Sequence, residues 1–209
     1  GTFYCDERTI VETKQGKRNG FNKNVSYIFR GIPYAKARRF HKPEPVSPWD
    51  GVREALAYGY VCPLMDQPGP DLEIMVPHRY WMMSEDCLNL NVWTKRPDPA
   101  AKKPVMVWFH GGGFYAGSAI EHIAYDGAAL CDFGDVVVVS VNHRLNILGY
   151  LDLSEYGSEY AGSGNAGNMD LVSSLLWVKE NIRAFGGDPD NVTVFGQSGG
   201  GEKIVTLMN

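Results

Sequence analysis

The sequence predicts an α/β fold, with a largely parallel central sheet flanked by helices. Two observations carry this. Apolar runs of strand length, Pro104–Phe109 and Val136–Val141, alternate with segments of helical period. The longest of those segments places Leu171, Leu175, Val178, Ile182 and Phe185 at three- and four-residue spacing, one face of an amphipathic helix.

Taken in order, residues 9–13 and 25–30 read as two short strands around the polar stretch 14–23, an N-terminal β-hairpin. From Gly31 to Met83 the chain is rich in Pro, Gly and aromatics without a sustained period, so irregular surface structure is expected. Leu88–Trp93 alternates apolar and polar like a half-buried strand. The continuous runs 104–109 and 136–141 suit strands covered on both faces. A short helix is expected over Ala124–Phe133, and the amphipathic helix should end near Gly186-Gly187. Asp188-Pro189-Asp190 reads as a turn, Val192–Phe195 as a short buried strand and Gly199–Asn209 as a helix. No internal repeat or linker interrupts this, so residues 1–209 are drawn as part of a single domain.

Composition narrows the function. With 20 basic and 24 acidic residues the formal net charge is −4, and no basic block offers a nucleic-acid or anionic-membrane surface. No apolar run approaches the roughly 20 residues of a membrane-spanning helix. Gly1–Asp6 carries no readable signal peptide, which favours a cytoplasmic over a secreted location slightly and leaves both open. Cys5, Cys62, Cys87 and Cys131 lack zinc-type CxxC spacing, so no metal site is read. Two Asn-x-Ser/Thr sequons, at Asn24 and Asn191, matter only in a secretory pathway. The 24 glycines exceed the average share of about 7% and cluster, which points to tight backbone sites.

Two clusters carry chemistry. Gly196-Gln197-Ser198-Gly199-Gly200 fits G-x-S-x-G between a predicted strand and a predicted helix, the setting of a nucleophile elbow. That turn would place the serine oxygen at a helix N-terminus, where free N–H groups favour developing negative charge. His110-Gly111-Gly112-Gly113-Phe114 directly follows a predicted strand. A glycine run lets backbone N–H groups approach a tetrahedral oxyanion, and acyl transfer needs such donors. Gly112, Gly113 and Gly199 are the candidate donors, with His110 and Gly111 shaping the loop. Phosphate-binding fingerprints do not accompany these glycines.

In their order and spacing these blocks, with Arg30–Ala35, Ser84–Leu88, Val141–Leu145, Phe185–Pro189 and Val192–Ser198, make the chain resemble the type-B carboxylesterases, a branch that includes the cholinesterases. The resemblance implies an α/β-hydrolase fold and ester hydrolysis without cofactor or metal. It makes Ser198 the acylated nucleophile and Gly112, Gly113 and Gly199 the oxyanion hole. It also matches Cys62 and Cys87 to a pair that is disulfide-bonded in secreted members. Departures are visible: Gln197 and Gly199 stand where the family usually has Glu and Ala, and His143 stands where it has Tyr. Trp81 lies in the loop that holds the cholinesterase cation-stacking tryptophan, but its neighbours do not follow that pattern, so loop packing is expected.

A serine hydrolase also needs a base and an acid, which in this fold follow the serine in the chain. His41, His78, His110, His122 and His143 all precede Ser198, and the sequence closes at Asn209. The expectation is therefore an N-terminal portion, with the C-terminal half supplied by a continuation or a second chain and a small-molecule ester as substrate. A non-catalytic adhesion or scaffold relative and an inactive fragment are the rivals.

Overall fold

The computed structural model describes residues 1–64 and 78–209. In chain order its elements are β1 (Phe3–Tyr4), β2 (Ile10–Glu12), β3 (Lys17–Asn19), β4 (Phe21–Lys23), β5 (Ser26–Pro33), β6 (Ala35–Lys36), β7 (Glu44–Pro45), β8 (Val52–Glu54), β9 (Asn89–Thr94) and β10 (Lys103–Phe109). There follow α1 (Ala128–Gly134), β11 (Val137–Val141), α2 (Asn146–Tyr150), α3 (Ala166–Asn181), β12 (Gly187–Gly196) and α4 (Gly199–Leu207). Part of the stretch expected to be irregular, residues 65–77, lies outside the described residues. The rest of it contributes β6 to β8 and an isolated bridge between Val61 and Met83. Among the described residues no helix is long and apolar enough to cross a membrane.

A seven-stranded sheet of order β1-β4-β5-β9-β11-β10-β12 organises the chain. It is mixed rather than mostly parallel. β10 runs parallel to β11 and β12, whereas β11–β9, β9–β5, β5–β4 and β4–β1 are antiparallel. The N-terminal pairing also differs from expectation. β2 pairs with β3 in one hairpin and β4 with β5 in another, so the polar stretch 14–23 itself supplies strands. Asn19 explains part of this, since its side-chain oxygen accepts the Thr9 hydroxyl at 2.7 Å and holds β3 beside the start of β2.

Alternation sorts the core onto two faces. Leu90, Val92, Val105, Val107, Phe109, Val137, Val139 and Val141 face one way, where Leu171, Trp177 and Val178 of α3 cover them. Trp93 and Val138 face the other, against Cys131 of α1. Two burial expectations change places. β9 was expected half-buried, yet every residue in it is buried. Its polar positions are satisfied by side chains: Asn91 donates to Ser140 Oγ at 3.1 Å and accepts from the Gly31 N–H at 3.0 Å. Asn89 donates to the Tyr60 carbonyl at 2.8 Å and accepts from Asn142 at 3.2 Å. β10 was expected to be covered on both faces, but Met106 and Trp108 are only partly buried.

The helix expected to end near Gly186 does so, through a 3-10 turn at Ile182–Phe185. The turn expected at Asp188–Asp190 is a bulge inside β12, where the register jumps from Lys103↔Gly187 to Val105↔Val192. Beyond the bulge β12 forms the edge of the described sheet and leads directly into Ser198 and α4.

Arg144, after β11, is fixed against α3 by Asp170. Its Nε and terminal nitrogen reach the carboxylate at 2.8 and 2.7 Å, its backbone N–H at 3.0 Å, and both side chains are almost wholly buried. Burial opposes the guanidinium charge, but the Asp170 carboxylate outweighs it and leaves the Arg144 pKa raised. Removing one partner strands a buried charge, so Asp170→Ala should cost about 3–5 kcal/mol. Removing the exposed partner Lys14 from Glu180 (2.7 Å) should cost less than about 1 kcal/mol. Denaturant titration of both variants tests the contrast, and equal small losses would contradict it.

Candidate active site

Ser198 is positioned by the strand–turn–helix expected for it. It follows β12, caps α4 and adopts φ 54° and ψ −124°, a conformation that L-residues avoid. The two outer glycines of the pentapeptide allow this turn. A Cβ on Gly196 would lie 2.7 Å from the Phe109 carbonyl oxygen and 2.6 Å from the Gly200 carbonyl carbon, and one on Gly200 would strike the same Phe109 oxygen. The turn is thus pressed against the end of β10, and the Ser198 side chain is exposed.

The glycine loop leaves β10 at that same point, so the two predicted clusters meet. A Cβ on Gly111 would come within 3.5 Å of Ser198 Cβ and 2.7 Å of the Gln197 side-chain oxygen. Gly112 has φ 95° and would meet the Ala116 carbonyl, so a side chain there is excluded by conformation and by space. Gly199 is buried against Gly113, whose N and O both lie 2.5 Å from where its Cβ would be. Gly199 opens α4, so its N–H has no intrahelical acceptor. No backbone acceptor takes the Gly112 or Gly113 N–H among the described residues.

His110 is buried beneath this loop. Its Nδ1 lies 2.7 Å from the Gly111 carbonyl and its ring stacks on His143 at 5.1 Å. Lys203, buried in α4, donates to the His110 carbonyl at 3.2 Å. Burial lowers the Lys203 pKa from its usual value to about 8. Sequence reasoning missed this lysine, because its partner lies far upstream and a single Lys in a short helix gives no signal. Among the described residues no histidine hydrogen-bonds the Ser198 hydroxyl; His41 is instead bound to the Arg39 carbonyl at 2.7 Å.

Cys62 and Cys87 are buried side by side as free thiols. Cys62 Sγ also accepts the Leu145 N–H at 3.2 Å. The Cys87 thiol donates a hydrogen bond to Cys62, and this together with burial pushes the Cys87 pKa well above the usual thiol value. Trp81 packs edge-on against Tyr58 at 5.8 Å, as plain loop packing requires.

Residues 7–209 match the carboxylesterase family. The chain belongs to that family. It is 47% identical to the para-nitrobenzyl esterase of Bacillus subtilis, over 95% of this chain and 40% of that protein. It is 43% identical to human carboxylesterase 3, over 95% of this chain and 36% of that protein. Among solved structures, an esterase from Clostridium hathewayi described as hydrolysing aliphatic aromatic polyesters superposes with a TM-score of 0.97 at 60% identity, covering 99% of this chain and 41% of that one. The Geobacillus stearothermophilus carboxylesterase EST55 superposes at 0.84 with 46% identity, covering 96% of this chain and 40% of its own. The fold is therefore that of the α/β-hydrolases. The chain spans about two fifths of the length of these relatives.

Proposed function

We propose that residues 1–209 are the nucleophile-bearing portion of a single α/β-hydrolase catalytic domain in a serine carboxylic-ester hydrolase. The observation that carries this reading is the left-handed Ser198 at the head of α4, exposed and seated against the glycine loop. Ser198 Oγ attacks the ester carbonyl carbon as a base takes its proton. The carbonyl π electrons move to the oxygen, which the Gly112, Gly113 and Gly199 N–H groups hold. The tetrahedral species collapses, and the alkoxide leaves as alcohol with the proton returned by the base. Water then attacks the acyl-enzyme by the same route and releases the carboxylic acid. The base is a histidine, oriented by a carboxylate, from residues beyond this set, in a continuation or a second chain.

The substrate is a small-molecule ester, and Gln197, an amide where the resemblance expects a carboxylate, weakens the attraction of the site for cationic ones. Cys62 and Cys87 are hydrogen-bonded neighbours, and they are the pair that oxidation would join.

A fluorophosphonate applied to the full protein should add one label at Ser198 by intact mass, alongside turnover of p-nitrophenyl esters. Absence of both would leave a non-catalytic relative as the reading. Gly112→Ala provides a second test. Its φ is 95° and its methyl would lie 2.4 Å from the Ala116 carbonyl oxygen, so the loop must shift by about 1 Å, and displacement on that scale costs on the order of a hundredfold in rate. A kcat/KM within twofold of the parent would remove Gly112 from the oxyanion hole.

A further inference from the structure

We propose that His78, Glu121 and His122 form a binding site for one divalent transition-metal ion of the zinc type. Glu121 Oε1 lies 3.2 Å from His78 Nε2 and 3.8 Å from His122 Nε2. One ligand atom from each residue falls within 4.8 Å of the other two. Tetrahedral Zn²⁺ with bonds of about 2.0–2.1 Å sets its ligand atoms about 3.4 Å apart, so the cluster is near the dimensions of one face of that tetrahedron.

Two further features favour an ion over a chance histidine–carboxylate contact. Both rings turn Nε2 toward the same Glu121 oxygen, with their centroids 4.5 Å apart. The three side chains are only 18–20% exposed, so they are partly removed from water without being sealed from it. His78 and Glu121 line a cleft with Trp81 and Met83, which gives an ion a path in. Two imidazoles and one carboxylate select zinc-type metals over Ca²⁺ or Mg²⁺, which take oxygen ligands. A fourth position is left for water.

The backbone holds the three residues at this spacing. The Arg79 N–H donates to the Glu121 carbonyl at 2.6 Å, which sets His78 beside the 121–122 pair. The other Glu121 carboxylate oxygen lies 2.8 Å from where a Cβ on Gly117 would be, as does His110 Nδ1. An ion here would therefore cross-link residue 78 to 121–122 and brace the segment that closes the glycine loop. Its role is to pin these segments, and the ester chemistry does not run through it.

The test uses the full protein, untagged and stripped with a chelator, titrated with Co²⁺ and followed by visible absorption. A saturable band at one equivalent, displaced by Zn²⁺, is expected, with a higher melting temperature in Zn²⁺. Glu121→Gln and His122→Asn should each weaken binding more than about a hundredfold, since loss of even an outer-shell partner costs 10–100-fold. His41→Asn, at a half-buried histidine elsewhere, should bind as the parent does. Circular dichroism of each variant separates lost ligation from lost fold, and His78→Asn replaces any variant that fails to fold. No saturable band in the parent, or a band unchanged in folded ligand variants, would overturn the proposal and leave a simple His–Glu–His ion-pair contact.

Discussion

Ser198→Ala in the full protein is expected to lower kcat for p-nitrophenyl acetate by about 10⁴–10⁶-fold, with loss of the fluorophosphonate label. Removing the oxygen removes the acyl-enzyme route altogether. Residual rate would come from the Gly112, Gly113 and Gly199 N–H groups polarising a carbonyl toward bulk water. The same residue makes an opposite prediction for stability. Ser198 stands at φ 54° and ψ −124°, a conformation costing of the order of 1 kcal/mol or more for a residue with a Cβ. Ser198→Gly should therefore be as inactive as Ser198→Ala and more stable than it by about 1 kcal/mol in denaturant titration. Retained turnover in Ser198→Ala would place the nucleophile elsewhere. Loss of activity with no gain from glycine would mean that the elbow is relaxed around the serine.

This site was legible because its parts are local. A strand, a G-x-S-x-G turn and a helix occupy consecutive residues, and the His110–Gly113 run follows its own strand directly. Their meeting followed from the chain order, and the contact of Gly199 with Gly113 is its structural expression. The strands at Pro104–Phe109 and Val136–Val141 and the helix ending near Gly186 were legible for the same reason, since periodicity is written within each segment. Strand direction and burial are not. Nothing within Leu88–Trp93 says that it runs antiparallel to β11, or that Asn89 and Asn91 will find Asn142 and Ser140 and be buried with them. The short polar strands β3 and β4 were read as a loop because their pairing depends on partners such as Thr9 rather than on apolar alternation. Lys203 and the His78–Glu121–His122 cluster escaped similarly, each depending on a contact between segments far apart in the chain.

Acid should unfold the protein steeply, and the cause lies beneath the glycine loop. Burial lowers the His110 pKa to about 3, aided by the Lys203 charge and opposed by the Gly111 carbonyl. Burial lowers His143 well below its usual value too, with Lys203, His110 and Arg144 adding to it and its own bond to the Arg144 carbonyl opposing. In the unfolded chain both rings titrate near 6.5. Below that pH the unfolded state binds protons that the folded state refuses, so stability is full above about 6.5 and falls as the pH drops toward 3. Well below pH 6.5 each such ring adds a slope on the order of 1 kcal/mol per pH unit, and the two add in the same direction. Acidification through this range would then remove several kcal/mol, a large share of the ~5–15 kcal/mol stability of a typical domain. Paired carboxylates add their share only below about pH 5, so the informative window is pH 6.5 to 5. There, urea titrations should show the parent losing stability about twice as steeply with falling pH as His143→Gln does. A flat profile, or an unchanged slope in the variant, would show that these rings accept protons while folded. The functional consequence follows from Lys203, which holds the His110 carbonyl at 3.2 Å. A proton on folded His110 would set a second positive charge beside that ammonium and loosen the loop that carries Gly112 and Gly113, but it arrives only near pH 3, so between pH 6.5 and 5 any decline in esterase activity should track the unfolded fraction alone.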